Sequence, residues 1–148
     1  MITNLLNRGI YGINTGTGND YNQTDSYVMA QYNGGRSDRY SIAGSTSSDY
    51  LISVGTTAQG ALPQTLSTEI VAGTTGTLYA DGSSVGSDSS FTAFTGSTNR
   101  LLLGARFLSG SVSTPGANRF QELIFFSSDE SANRTDIESD INTYYSIY

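Results

Sequence analysis

Short runs of Tyr, Val, Ile, Leu and Phe alternate with polar turn segments along almost the whole chain. The runs are SYVMAQY (26–32), DRYSIAG (38–44), DYLISVG (49–55), LSTEIVA (66–72), TLYADG (77–82), RLLLGARF (100–107) and RFQELIFF (119–126). Between them lie NTGTGND, NGGRSD, GSTSSD, TAQGALP, AGTTG, DGSS, TGSTN and SGSVSTPGAN. Turn signals about every eight to twelve residues predict short antiparallel strands in a sandwich or barrel. In DYLISVG, Tyr50, Ile52 and Val54 alternate with Leu51, Ser53 and Gly55, the period of a strand with one core face. TLYADGSSVGS predicts a hairpin, because Asp81-Gly82 suits a type I′ turn, where both central residues need positive φ. The start of QELIFFSS, with its dense apolar residues, predicts a buried strand.

The period changes at the end of the chain. Ile137, Ile141, Tyr144, Tyr145 and Tyr148 are spaced as i, i+4, i+7, i+8 and i+11, one largely apolar helical stripe. Ser131 or Asn133 can cap this helix, and Asp136 and Glu138 sit near its positive end. A helix this short is not stable alone, so it must dock, and the expected role is to cover an open end of the sandwich.

The 148 residues suit one domain, with no repeat and no linker dividing it. That length can bury a core without covalent staples. Cysteine and histidine are both absent, which removes most zinc chemistry and every Cys-His or Ser-His-Asp arrangement. The net charge is −6 and every cation is an arginine. No basic stripe occurs, so no nucleic-acid partner is expected. Charged residues are 14% of the chain, and Ser, Thr, Gly and Asn fill their place, a composition that points to an extracellular or virion β-protein. No apolar run is long enough to span a membrane. MITNLLNRGIYG lacks a charged region ahead of its apolar patch and is not a signal peptide, so an exported protein would need another route or lytic release.

The order TLYADGSSVGS, RLLLGAR, a Gly/Ser loop and FQELIFFSSDESANRTDIESDINTYYSIY resembles the concanavalin A-like lectin/glucanase superfamily, in particular its laminin-G-like jelly-roll domains. The elements that carry the resemblance are 78–82, 101–104, 120–126 and 133–148. The closing motif is similar to those of bacteriophage fibre and head surface proteins. The resemblance implies an all-β, antiparallel jelly-roll β-sandwich with one short C-terminal α-helix, spanning 1–148 as a single lectin-like domain. It covers about residues 66 to 148 well and the first 65 weakly. The family's tryptophan-bearing N-terminal motifs are absent, and the chain has no tryptophan. Three explanations stay open: a shortened domain lacking N-terminal strands, a C-terminal piece, or a sheet completed by a neighbouring chain.

The superfamily's hydrolases place carboxylates two apart on one strand, because retaining hydrolysis needs a pair at about 5–5.5 Å. Glu69, Glu122, Glu130 and Glu138 have no such strand partner; Asp136 and Glu138 have the spacing but lie on the helix, facing apart. No catalysis is expected. Glu122 shares a strand face with Phe120 and Ile124 and needs a partner if buried, for which Arg106 or Arg134 is the expected choice. Asp81 could ligate calcium, but calcium takes about six to eight oxygens and no spaced acidic cluster accompanies it, so the turn reading is preferred and no cofactor is indicated.

Ten tyrosines offer apolar rings with polar tips, the parts a sugar-binding surface uses. YNGGRSDRY (32–40) gathers Tyr32, Asn33, Arg36, Asp38, Arg39 and Tyr40 in one expected hairpin. GTGNDYNQTDSY (16–27) adds Asp20, Tyr21, Asn22 and Asp25. The candidate ligand-binding set is Tyr21, Tyr32, Asn33, Arg36, Asp38 and Tyr40, against the plainer reading of two ordinary polar loops. The expected function is a non-catalytic surface module of a virion or extracellular assembly that aids attachment to host-surface glycans or proteins. Its partners would be copies of itself, other virion or surface proteins, or cell-surface glycans. The alternatives are a purely structural self-assembling subunit and a glycoside hydrolase-related domain.

Overall fold

The computed structural model of the chain describes residues 8–14, 18, 20, 27–32, 39–43, 66–72, 75–89, 100–115 and 120–148. These form strands β1 (Arg8–Asn14), β2 (Tyr27–Tyr32), β3 (Arg39–Ala43), β4 (Ser67–Ala72), β5 (Thr75–Ala80), β6 (Ser83–Asp88), β7 (Arg100–Leu103), β8 (Arg106–Leu108) and β9 (Ser111–Ser113). A 3-10 turn (Ser131–Asn133) then leads into helix α1 (Arg134–Tyr145). The described architecture is therefore all-β with one short C-terminal helix. Every strand pairing is antiparallel, in sheets ordered β3-β2-β1-β7, β4-β5-β6 and β8-β9.

The β5–β6 hairpin forms as its sequence predicts. Asp81 and Gly82 have φ of 47° and 79°, the two positive values of a primed turn. Asp81 serves the turn and its neighbour: its Oδ1 accepts the Leu66 N–H at 2.9 Å, and its own N–H donates to the Leu66 carbonyl at 2.9 Å. These bonds tie the start of β4 to the hairpin. Along β5, Gly76, Leu78 and Ala80 are buried while Thr77 and Tyr79 are half-buried, a clean period of two. Burying a side chain such as Leu78 contributes about 1.5–3 kcal/mol.

Four features depart from the expected strands. The run 100–107 is two strands in two sheets, not one, because Gly104 takes a φ of 70° and turns the chain out of β7. The Gly/Ser loop beyond it holds a hairpin, with Ser109 (φ 51°) and Gly110 (φ 77°) joining β8 to β9. Strand β1, which the apolar patch near the start left unannounced, lies between β2 and β7 in the four-stranded sheet. Residues 120–126 are not a buried strand: they pair with no strand among the described residues, and all are exposed. The strand expected at 49–55 lies outside the described residues.

The core sits where β1 crosses the β8–β9 hairpin. Tyr11, Ala105 and Phe107 are buried there, and a Cβ built on Gly9 would lie 2.1 Å from the Ala105 carbonyl oxygen. Only glycine permits that approach. Asp20 and Arg106 are buried beside Phe107 as a two-bond ion pair, with Arg106 Nη2 donating to Oδ1 at 2.7 Å and Nε to Oδ2 at 3.2 Å. The Phe107 N–H also donates to Oδ2 at 2.8 Å, and the Asp20 N–H to the Phe107 carbonyl at 2.8 Å. The carboxylate is thereby satisfied, which a buried charge requires.

Candidate functional site

The register of β7 on β1 sets Leu103 opposite Tyr11 and Leu101 opposite Ile13. Directly opposed residues share a sheet face, so these four form one apolar row. Tyr11 is buried, but Leu101 and Leu103 are 50% and 52% exposed. Residues 120–126 lie against the same place. The Phe125 ring meets Tyr11 edge-on at 5.6 Å, and Phe120 approaches Gly104, 3.9 Å from where a Cβ would stand. Leu123, Ile124 and Phe126 add further exposed apolar surface to this segment. Among the described residues β7 pairs with β1 alone. This run of exposed Leu, Ile and Phe beside β7 is the candidate site. Its sequence signal was the pair Leu101/Leu103 within RLLL, whose spacing of two puts both on one face.

Glu122 belongs to this segment, and its expected arginine partner is not there. Arg106 is taken by Asp20 and Arg134 by Glu138. Glu122 is exposed, and its charge lies near enough to the Tyr145 phenol on α1 to act on it. Desolvation, with the adjacent Glu122 charge, holds the Tyr145 phenol above its ordinary pKa.

Helix α1 docks by a face that overlaps the expected stripe only in part. Its buried residue is Glu138, 3% exposed and ion-paired with Arg134 one turn earlier. The Arg134 guanidinium lies 3.9 Å from the centre of the Tyr79 ring and donates to the Gly82 carbonyl at 3.5 Å. Arg134, with Glu138, therefore faces the turn end of the β5–β6 hairpin, while Ile137, Ile141 and Tyr145 of the stripe are half-buried. Tyr144 is turned outward, 81% exposed, with its ring edge-on to Tyr145 at 4.7 Å. Stripe and docked face differ because a cation over an aromatic ring and a paired carboxylate here replace aliphatic packing.

Both ends of the helix are held by side chains. Neither Ser131 nor Asn133 makes a side-chain cap. Asp129 accepts the Ser131 N–H at 2.9 Å, and Glu130 accepts Asn133 Nδ2 at 2.7 Å and Ser128 Oγ at 2.8 Å. These hydrogen bonds hold both carboxyls below their ordinary pKa. At the other end Ser146 takes a left-handed φ of 54°, and Asn142 Oδ1 accepts the N–H groups of Ile147 and Tyr148, each at 2.9 Å. Tyr148 returns to the hairpin, its Oη 3.0 Å from a Cβ built on Gly82. Burial raises its pKa, the charges of Glu138 and Asp81 raise it further, and Arg134 opposes them.

Of the candidate ligand-binding residues, Tyr21, Asn33, Arg36 and Asp38 lie outside the described residues. Tyr32 ends β2 opposite Arg39, and Tyr40 lies in β3 opposite Gln31, so the expected hairpin strands pair but the two tyrosines are not cross-strand partners. Asp20 is a buried ion-pair member and offers no surface to a ligand. Among the described residues no group of three or more acidic side chains is arranged to hold a metal, and no helix is long and apolar enough to cross a membrane.

No protein-family profile matches the chain, and no curated protein matches it. Among solved structures, it is similar to residues 221–444 of an S-layer domain-containing protein from Clostridium thermocellum, with a TM-score of 0.47 and 17% identity over 93% of this chain. The chain spans 65% of the length of that structure.

Proposed function

We propose that this chain is a non-catalytic building module of an extracellular or virion-surface assembly, a jelly-roll domain of the concanavalin A-like kind that self-associates through the face around β7. The observation that carries this reading is the exposed apolar surface of Leu101, Leu103 and residues 120–126. Soluble monomers rarely leave a large contiguous apolar patch uncovered. Stable interfaces bury more than about 1,000 Å² in total, and such a face can contribute its apolar centre. The test is mass by light scattering across a concentration series, on the chain and on a Leu101→Asp/Leu103→Asp variant. Self-association of the chain that the variant loses supports the reading; a monomer at every concentration overturns it.

Attachment to surface glycans is a second reading, favoured by the outward Tyr144 ring, since exposed aromatic faces stack on sugars. A glycan array with a Tyr144→Ala control tests it. Binding that the variant loses supports the reading, and no binding removes it.

A further inference from the structure

The corner around Gly82 brings together a buried acceptor and a donor. The two oxygens of Glu138 stand in unequal positions: Oε2 pairs with Arg134, while Oε1 is buried and has no hydrogen-bond partner among the described residues. A buried carboxylate oxygen without a partner bears the full cost of its lost hydration, so a donor placed there is stabilising. Arg134 is committed elsewhere: Nη1 serves Oε2 and the Gly82 carbonyl, and its guanidinium lies 3.9 Å from the centre of the Tyr79 ring. The Tyr148 side chain reaches the same glycine tip-first. A Cβ built on Gly82 would lie 3.0 Å from Oη and 3.5 Å from Cζ and Cε2. The ionic groups that act on this phenol are Glu138 and Arg134 from α1 and Asp81 from the turn. A phenol has one O–H to donate.

The backbone behind this phenol is held by a single side chain. Ser146, with a left-handed φ of 54°, turns the chain back after α1. Asn142 then holds the two residues that follow: its Oδ1 accepts the N–H groups of Ile147 and Tyr148, each at 2.9 Å, and its Nδ2 donates to the Tyr148 carbonyl at 2.7 Å. With the backbone fixed, the phenol moves about its own two side-chain torsions, at little cost in entropy. We infer that residues 146–148 are a strap that closes when the Tyr148 hydroxyl donates to Glu138 Oε1. Closed, the strap supplies the donor that Oε1 lacks and gives α1 a second fastening at the β5–β6 turn, beside the one made by Arg134. Open, the phenol stands over Gly82 and the helix keeps the Arg134 fastening. The two positions differ by one hydrogen bond, a difference small enough to open and close locally while the core stays folded. The docking of the helix thereby depends on one phenolic proton.

Amide exchange followed residue by residue in the full chain tests the strap. Tyr148→Phe keeps the ring and removes the hydroxyl. It should speed exchange of the Ser146 and Ile147 amides, which both bond to Asn142, by about threefold or more, and leave Tyr11 and Leu78 in the core unchanged. In a Glu138→Ala background the same substitution should change these rates by less than about 1.5-fold, because the acceptor is gone. In an Asp81→Asn background it should keep its full effect. Asparagine tolerates the positive φ at that position and retains an oxygen to accept the Leu66 N–H. If Glu138→Ala does not fold, the Asp81→Asn background still separates the two carboxylates. Unchanged exchange in Tyr148→Phe overturns the strap. An effect that persists in full in Glu138→Ala, or disappears in Asp81→Asn, also overturns it, because the hydroxyl then bonds elsewhere.

Discussion

Strand β5 and residues 120–126 have the same kind of sequence and opposite fates. Both carry apolar residues at strand spacing, yet Leu78 at the centre of β5 is 1% exposed while Ile124 at the centre of the other is 44% exposed. The difference lies in what stands beside them. β5 is joined to β6 by a two-residue turn, and β4 is fastened to that turn through Asp81 and Leu66, so both partners arrive through short closures. Short closures cost little chain entropy. Among the described residues no strand is returned to residues 120–126, and a strand without a ladder is only an exposed segment. Alternation states that a segment can be a strand; neighbours decide whether it is one.

The comparison can be broken most sharply in the core. Leu78→Ala should destabilise the chain by about 2–5 kcal/mol, because it removes transfer energy and leaves a cavity. Urea unfolding followed by circular dichroism measures it, and a loss below about 0.5 kcal/mol would mean that β5 is no better packed than residues 120–126. Gly82→Ala comes next. The turn has a left-handed φ at that position and the Tyr148 hydroxyl stands over it, so a cost of about 1–2 kcal/mol is expected. The same assay should show it, with reduced amide protection across both β5 and β6.

Leu123→Ala, at an exposed site, should change the stability of the monomer by no more than about 0.5 kcal/mol. It should weaken self-association in sedimentation runs. A monomer cost as large as that of Leu78→Ala would show that residues 120–126 are a buried strand in solution.

Alkaline pH supplies the smallest effect and the most local. The Tyr145 phenol has a raised pKa in the folded chain, so the folded form keeps its proton where an unfolded chain has begun to lose it. The contribution of this contact is complete below pH about 10, the ordinary tyrosine value, and is lost as pH rises through the higher folded value. The phenolate then repels Glu122. Tyrosine absorbance during an alkaline titration should show Tyr145 and Tyr148 ionising late, and Tyr145→Phe should lower the amplitude of that late step by one tyrosine. An unchanged titration in the variant would place Glu122 elsewhere.

The strands that proved legible share a mechanism. SYVMAQY, DRYSIAG and LSTEIVA each contain the strand that forms, and Asp81-Gly82 marked its turn, because alternation and positive-φ residues act over a few neighbours. Ser109-Gly110 is the same type of signal in a weaker pair of residues, and the hairpin it makes was passed over as a loop. The break at Gly104 was invisible in RLLLGARF, since that glycine could equally well continue a strand. In the candidate site, Leu101 and Leu103 were readable as one face, but not as an exposed one. Glu122 was readable as a carboxylate seeking a partner if buried, but it is exposed and both arginines are paired elsewhere.

By itself the sequence determined the all-β character, the closing helix, the position of the β5–β6 turn and the absence of cysteine and histidine chemistry. Each of these depends on residue type or on interactions within a few positions. Tertiary structure decided the rest: that β1 lies between β2 and β7, that Arg106 belongs to Asp20 and Arg134 to Glu138, and that the helix docks through Glu138 with Tyr144 outward. Pairing between distant segments depends on which partner fills which space, and pattern along a chain holds no record of that distance. For the same reason residues 120–126 could be recognised as strand-forming, while the place they would take in a sheet depends on the edge presented to them.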